Sequence, residues 1–368
     1  MNLHPKISRV ALAILTLIAF SCTEPVDWLA EAQRKLAASP SISYTETALY
    51  PIPESDLVDT VIAQIEYLVQ AEDSLGYQFI QKTRGEVQFY QAEVLQVTKH
   101  SDKLVRTYTP EHFDSREGFF QTVKGNFRSR WSPMTLLGLD WEFVGDTIMD
   151  QTRLKHYSRV ESDREYEGRK IHTENHIFIH ADAWMERFER KNFIDGTLSQ
   201  KITIHYSDYN QTHDALHYDI PADYTSAYGK AKPMENLKVG DPAPAFHAVN
   251  MEGDSVNLEM FSGGKVLLNF SVIACGNCKK TLNHFTQEGY VLSEEIPILY
   301  LNPEDNSERL VTYMEKTAIP FPVIPDAQEI AQQYAVNSYP RFFLIDEQGM
   351  IENIQIGYSK EFIDEFRQ

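Results

Sequence analysis

The hydrophobic period of this chain changes once along its length, and that change constrains the fold more than any other feature. From about residue 40 to residue 222, apolar residues recur at every second position in short runs rich in β-branched and aromatic side chains. Val61–Val69, Gly76–Ile80, Val87–Tyr90, Lys103–Tyr108 and Lys201–Tyr206 are runs of this kind. A period of two is that of strands with one buried face. His176–His180 and Ala183–Arg190 read as two strands of a hairpin around Ala181–Asp182, and Ala215–Pro221 as the last strand of the series. Ahead of them, Val26–Ala38 has helical spacing, with Trp28, Leu29, Ala32 and Leu36 on one side and Pro40 as the stop. Thr135–Leu139 reads as a brief helical interruption. Residues 22–225 are therefore expected to form a mainly antiparallel β domain with one helix.

Residues 226–240 carry Gly229, Pro233 and Gly240 without any period and read as the connection, with 226–236 as the linker proper. From 237 to 368, strand and helix patterns alternate. Strands are expected at Lys265–Ser271, Ile296–Leu301, Arg341–Asp346 and Ile351–Ile356. Helices are expected from Cys275 to about Gly289, over Ser307–Lys316 and Ala327–Tyr334, and from Tyr358 onward. Alternation of this kind implies an α/β domain with helices on both faces of the sheet. Two domains suit a chain of 368 residues.

The chain holds 34 Lys and Arg against 53 Asp and Glu, for a net charge of −19. That balance excludes nucleic acid as a partner, because phosphate binding needs a basic face. At the N-terminus Lys6 and Arg9 precede an apolar stretch, Val10–Phe20, that is too short to span a bilayer. Ala19-Phe20-Ser21-Cys22 follows, then the polar Thr23-Glu24-Pro25. This segment resembles a bacterial lipoprotein signal, although Ala19 stands where Leu is usual and Phe20 is bulky for its position. The resemblance implies a signal peptide at 1–21, lipidation of Cys22, and a mature protein held to a bacterial membrane outside the cytoplasm, facing the periplasm. Cleavage without lipidation is the alternative.

The two remaining cysteines form Cys275-Gly276-Asn277-Cys278, after an apolar run. A structural zinc site needs four ligands. His247 and His284 keep a Cys2His2 count open, but their spacing fits no common zinc pattern, so no metal and no cofactor are expected. His172, His176 and His180 share one face of a strand, an arrangement more often a solvated stripe than a metal site.

A buried strand followed by Cys-x-x-Cys opening a helix resembles the thioredoxin arrangement. Val239-Gly-Asp-Pro-Ala-Pro-Ala-Phe246, Asn250–Leu258 and the run Val336–Ile351, with Pro340 and Phe343-Leu-Ile-Asp-Glu-Gln-Gly349, look like three segments of the TlpA/ResA and redoxin branch. The resemblance covers about residues 237–368 and implies a thiol–disulfide oxidoreductase. In it Cys275 attacks as thiolate, activated by the helix N-terminus, and Cys278 resolves the mixed disulfide. It also implies that Pro340 is a cis-proline facing the dithiol, with Tyr339 beside it to position the client. The implied partners are a protein thiol or disulfide client and a membrane or periplasmic thiol donor.

Around the pair the chain departs from the branch. Ala274 stands where tryptophan is usual, Asn269 where many thioredoxins bury an acid, and Thr281 where ResA-like chains have glutamate. A neutral Asn269 cannot take a proton, so another carboxylate or water must serve. Gly276-Asn277 lacks the histidine of oxidising members, which leans the reading toward a reductant. A peroxidase is disfavoured, since neither cysteine follows the Pro-x-x-x-Thr-x-x-Cys spacing. A disulfide isomerase that uses the β domain for clients remains open, and so does a lipid- or peptide-binding envelope protein with an accessory redox domain. The N-terminal half itself looks like the half-barrel of LolA/LolB and RseB, a curved sheet around a helix.

Overall fold

The computed structural model describes residues 27–53, 55–125, 130–166, 168–211, 215–229 and 236–368. The lipoprotein-like segment with Cys22 lies outside them. Among the described residues no helix is long and apolar enough to cross a membrane.

The N-terminal half is built on one twelve-stranded sheet in the order β12 (Thr225–Tyr228), β6 (Leu104–Tyr108), β5 (Val94–Lys99), β4 (Glu86–Gln91), β3 (Tyr77–Thr83), β2 (Val58–Val69), β1 (Ser41–Pro51), β11 (Thr197–Asn210), β10 (Met185–Ile194), β9 (Arg169–His180), β8 (Thr152–Tyr166) and β7 (Glu142–Met149). Its first strands are β1 (Ser41–Pro51) and β2 (Val58–Val69), paired antiparallel from Ser41 opposite Leu68 to Pro51 opposite Val58. Alternation sets the faces. In β1 the residues Ile42, Tyr44 and Ala48 are buried, and in β2 Ala63, Ile65 and Tyr67. They join one core with Phe188 and Ile204, which are fully covered. Helix α1 (Trp28–Ala37) lies against this face and contributes Ala32 to the core. Asp27 caps it by accepting from the Leu29 and Ala30 amides at 3.0 and 3.2 Å.

Three departures from the sequence reading have physical causes. Helix α2 (Arg116–Lys124) was not expected. Ser115 caps it, its Oγ accepting from the Gly118 amide at 3.0 Å, and Phe119, Phe120 and Val123 are buried in the core of the sheet. Ala215–Pro221 is not a strand. Instead Thr225–Tyr228 forms β12, running parallel to β6 (Leu104–Tyr108). The expected linker therefore starts inside the sheet, because four residues are too few to show a period and their partner is remote in sequence. Strands β7 (Glu142–Met149) and β8 (Thr152–Tyr166) were also unread, since charges interrupt their alternation.

On β9 (Arg169–His180) the stripe His172, His176 and His180 is paired rather than open. His176 lies 2.9 Å from both Glu174 and His156, His172 lies 3.0 Å from Asp163, and His180 lies 2.8 Å from Asp182. Among the described residues no group of three or more His, Cys, Asp or Glu could hold a metal.

After a short hairpin of β13 (His247–Val249) and β14 (Ser255–Asn257), the C-terminal half holds a five-stranded sheet in the order β17 (Val323–Ile324), β16 (Ile298–Leu301), β15 (Val266–Phe270), β18 (Arg341–Ile345) and β19 (Ile351–Ile356). Its centre is β15 (Val266–Phe270), buried at every position, with β16 (Ile298–Leu301) parallel on one side and β18 (Arg341–Ile345) antiparallel on the other. Helices α4 (Gly276–Phe285), α5 (Ser307–Met314), α6 (Gln328–Gln333) and α7 (Lys360–Asp364) complete it, after the short α3 (Pro133–Leu136) of the other half.

The two halves share a core. Ile52, at the β1–β2 turn, is 3% exposed and belongs to the cluster of Ile273, Leu310, Tyr313 and Phe342, with Leu57 packed against it. Asp56 pairs with Lys316 beside it. Truncating Ile52 to alanine is expected to cost the C-terminal half about 2–4 kcal/mol. The check is the urea concentration at which the buried Cys278 thiol becomes open to alkylation; an unchanged midpoint would show that the contact carries no stability.

Candidate active site

The site lies where β15 ends and α4 begins, at the carboxyl end of the central strand. Ser271, Val272 and Ile273 are buried, and the chain surfaces at Ala274. Cys275 is the N-cap of α4, in extended backbone, so the free amides of the first turn point at its sulfur. The Cys278 amide donates to Cys275 Sγ at 3.2 Å. Gly276 and Asn277 are exposed, whereas Cys278 is 1% exposed. Both are free thiols.

The two sulfurs are held in opposite states. The Cys275 thiol is lowered to about 7, first by a hydrogen bond from the Cys278 thiol and then by the Cys278 and Asn277 amides, against the opposing effects of burial and the Glu304 charge. Burial pushes the Cys278 thiol far up, and its bond to Cys275 adds to that. One sulfur is available as thiolate near neutral pH and the other is kept protonated.

Opposite the dithiol, Tyr339–Pro340 is a cis peptide bond. The Tyr339 carbonyl lies 3.6 Å from Cys275 Sγ and accepts from its thiol. Pro340 is buried and opens onto β18, its carbonyl accepting from the Gly357 amide at 2.8 Å. The structure thus brings Cys275, Cys278, Tyr339 and Pro340 together, with Ala274, Gly276 and Asn277 as the exposed rim. Asn269 stands inside, 0% exposed on β15, where its Oδ1 accepts from Ser271 Oγ at 2.7 Å. Its Nδ2 has no hydrogen-bond partner among the described residues.

In sequence Pro303–Glu308 is an acidic run of the kind that fills loops and helix caps. Asn306 does cap α5, accepting from the Arg309 amide at 3.0 Å. The two residues before it belong to the site. Glu304 bonds to the Tyr339 side chain, and burial holds its carboxyl above the usual range, so it is a carboxylate of the kind that Asn269 cannot be. Asp305, 6% exposed, accepts from the Ile273 amide at 3.2 Å through Oδ2. Their place was open to inference: they follow β16, and ligand-facing residues of open α/β sheets gather beyond the carboxyl ends of neighbouring strands.

Residues 239–354 match the AhpC/TSA family. The thiol-disulfide oxidoreductase ResA of Bacillus cereus is 28% identical over 146 residues, which is 39% of this chain and 84% of ResA. The thioredoxin-like protein YneN of Bacillus subtilis is 25% identical over 130 residues, 34% of this chain and 76% of YneN. Among solved structures, StoA of Bacillus subtilis is 24% identical and covers 34% of this chain and 96% of its own, with a TM-score of 0.29. Residues 239–354 are a thioredoxin-like domain of the AhpC/TSA family, of the TlpA/ResA type.

Proposed function

We propose that this chain is a thiol–disulfide oxidoreductase that reduces protein disulfides through Cys275 and Cys278. The observation that carries the reading is the split between the two sulfurs, one lowered to about 7 at a helix N-cap and one buried and protonated. In the forward step the Cys275 thiolate attacks one sulfur of the client disulfide. That S–S bond breaks, a mixed disulfide forms, and the departing client thiolate takes up a proton. Cys278 then gives up its proton and attacks Cys275 Sγ, expelling the second client thiolate. The client gains two electrons, and the chain is left with a Cys275–Cys278 disulfide for a thiol donor to reduce. Tyr339 and Pro340 form the wall against which the client rests.

The absence of a peroxidatic Pro-x-x-x-Thr-x-x-Cys loop favours this reading over peroxide reduction within the same family. The Val10–Phe20 stretch before Cys22 supports a lipid-anchored protein of the bacterial envelope. The large sheet of residues 41–228 supports a second reading, an isomerase in which that sheet holds the client.

The test is reduction of insulin disulfides by the full chain with dithiothreitol as donor. Below the Cys275 value of about 7 the nucleophilic fraction falls, so the attack rate is expected to drop about tenfold per pH unit there and level off above it. A chain that leaves insulin reduction no faster than dithiothreitol alone refutes the reading.

A further inference from the structure

Asp59 is the second residue of β2, at the end of the strand next to the shared hairpin turn. Its Oδ1 accepts from Arg309 Nη2 of α5 at 2.5 Å, across 250 positions of sequence. Arg309 Nε donates in turn to Asp305 Oδ1 at 3.0 Å. The other oxygen of Asp305 accepts from the Ile273 amide at 3.2 Å and from Asn302 Nδ2 at 3.0 Å. Ile273 stands two residues before Cys275. An unbroken run of charge-assisted hydrogen bonds therefore leads from the N-terminal sheet to the backbone that presents the nucleophile.

We propose that Asp59 and Arg309 are positioning residues for the thiol–disulfide exchange, through which the N-terminal domain sets the placement and charge environment of Cys275. This rests on the reading of Cys275 as the nucleophile. Arg309 is the cation that offsets two carboxylates at the site, Asp305 and Asp59. Without it, Asp305 and Asp59 would be two uncompensated carboxylates on the network that holds the Ile273 amide, two residues before a sulfur that must itself become negative. Among the described residues, the other titratable groups that bear on Cys275 are Cys278 on α4, Glu304 after β16 and Tyr300 on β16, with Tyr339 bonded to Glu304 before β18 and the buried Arg341 of β18 donating to Asn337 Oδ1 at 3.2 Å. The cations of α4 are engaged elsewhere: Lys279 bonds to Thr317 Oγ1 at 2.8 Å, and Lys280 lies 4.2 Å over the Tyr358 ring. Arg309 is thus the cation tied to the loop before Cys275, and a residue of the other domain shares it.

The charge argument predicts opposite signs for two substitutions. Arg309→Met keeps the apolar stem and removes the cation, so Cys275 should ionise at higher pH and react about threefold more slowly with iodoacetamide near neutral pH. Asp59→Asn removes a competing anion and leaves Arg309 to Asp305. Cys275 should then ionise at lower pH and react up to about threefold faster below pH 7. Asp59→Glu should restore the parent profile.

The experiment is the pH profile of Cys275 alkylation in the full chain, in a Cys278→Ser background carried by every variant. A merely structural contact would slow or scatter both variants alike. Superimposable profiles, or shifts of the same sign, overturn the proposal. If Arg309→Met fails to fold, Asp59→Asn decides alone, a lower midpoint supporting the proposal and an unchanged or higher one overturning it. Alkylation reports the thiol whether or not the chain reduces a protein disulfide, so insulin turnover by the unsubstituted protein tests the underlying reading separately.

Discussion

Cys275→Ser is expected to abolish insulin reduction, by roughly a thousandfold or more, because a serine hydroxyl neither ionises near neutral pH nor displaces a thiolate from sulfur. Cys278 cannot substitute for it. That thiol is 1% exposed and its ionisation is driven far up by burial, so no client disulfide meets it as a thiolate. The partner variant should fail differently. In Cys278→Ser the attacking sulfur and the Cys278 and Asn277 amides around it are intact, so the first step proceeds and the reaction stops at the mixed disulfide. Non-reducing electrophoresis with a disulfide client should show a covalent adduct that dithiothreitol releases. An adduct formed equally well by Cys275→Ser would reverse the assignment of the two roles. Removing the Cys278 thiol also removes the largest contribution holding Cys275 low, so the surviving thiol should need a higher pH for full reactivity.

The second large effect is expected at Asn269. Asn269→Asp would place a carboxyl on β15 at 0% exposure, between Tyr300 and Phe342 on the neighbouring strands. Among the described residues, the Ser271 hydroxyl is the one group that donates to this side chain. Burial without a cation disfavours the charged form, so the folded-state pKa of the new carboxyl would lie above its unfolded value of about 4. The sign follows from linkage. Below about pH 4 the carboxyl is protonated in both states and costs little. As pH rises the unfolded chain ionises first, and the destabilisation grows until the folded pKa is passed, then stays level. A raised value of two to three units corresponds to about 3–4 kcal/mol at pH 8. Urea unfolding of variant and parent at pH 4 and pH 8 measures it. A difference that is the same at both pH values would mean that the buried site solvates the charge. The same substitution introduces the acid that other thioredoxins carry, so activity and stability should respond in opposite senses wherever proton transfer from Cys278 limits turnover.

Much of this site was legible because its chemistry is local. A buried strand, a cysteine at a helix start and a second cysteine one turn on lie within a dozen residues. Pro340 could be placed by resemblance, because the segment around it matches as a block. What escaped was set by contacts remote in sequence. Glu304 and Asp305 look like an acidic loop until β16 is laid beside β15. Asp59 looks like an ordinary polar residue in an alternating strand, and nothing in its neighbourhood announces Arg309. In the N-terminal half the central strands were readable because Ala63, Ile65 and Tyr67 keep the period. β7 and β8 were not, since charged residues such as Asp146, Arg153 and Lys155 break their alternation. β12 is four residues long and owes its state to pairing with Leu104–Thr107.

The position of Ile52 bears on how the molecule assembles. This side chain leaves the ribosome long before β15, β16 and β18, yet it fills a place in the core those strands build. The later half therefore cannot finish desolvating its own interior from local contacts alone, and must close over a hairpin supplied by the earlier sheet. Contacts of such high sequence separation are slow to make, because chain entropy is lost before they return any stability. Until that closure the cluster that holds Ile273 and Leu310 lacks one of its members, so the approach to the dithiol is incompletely packed whenever the hairpin is undocked.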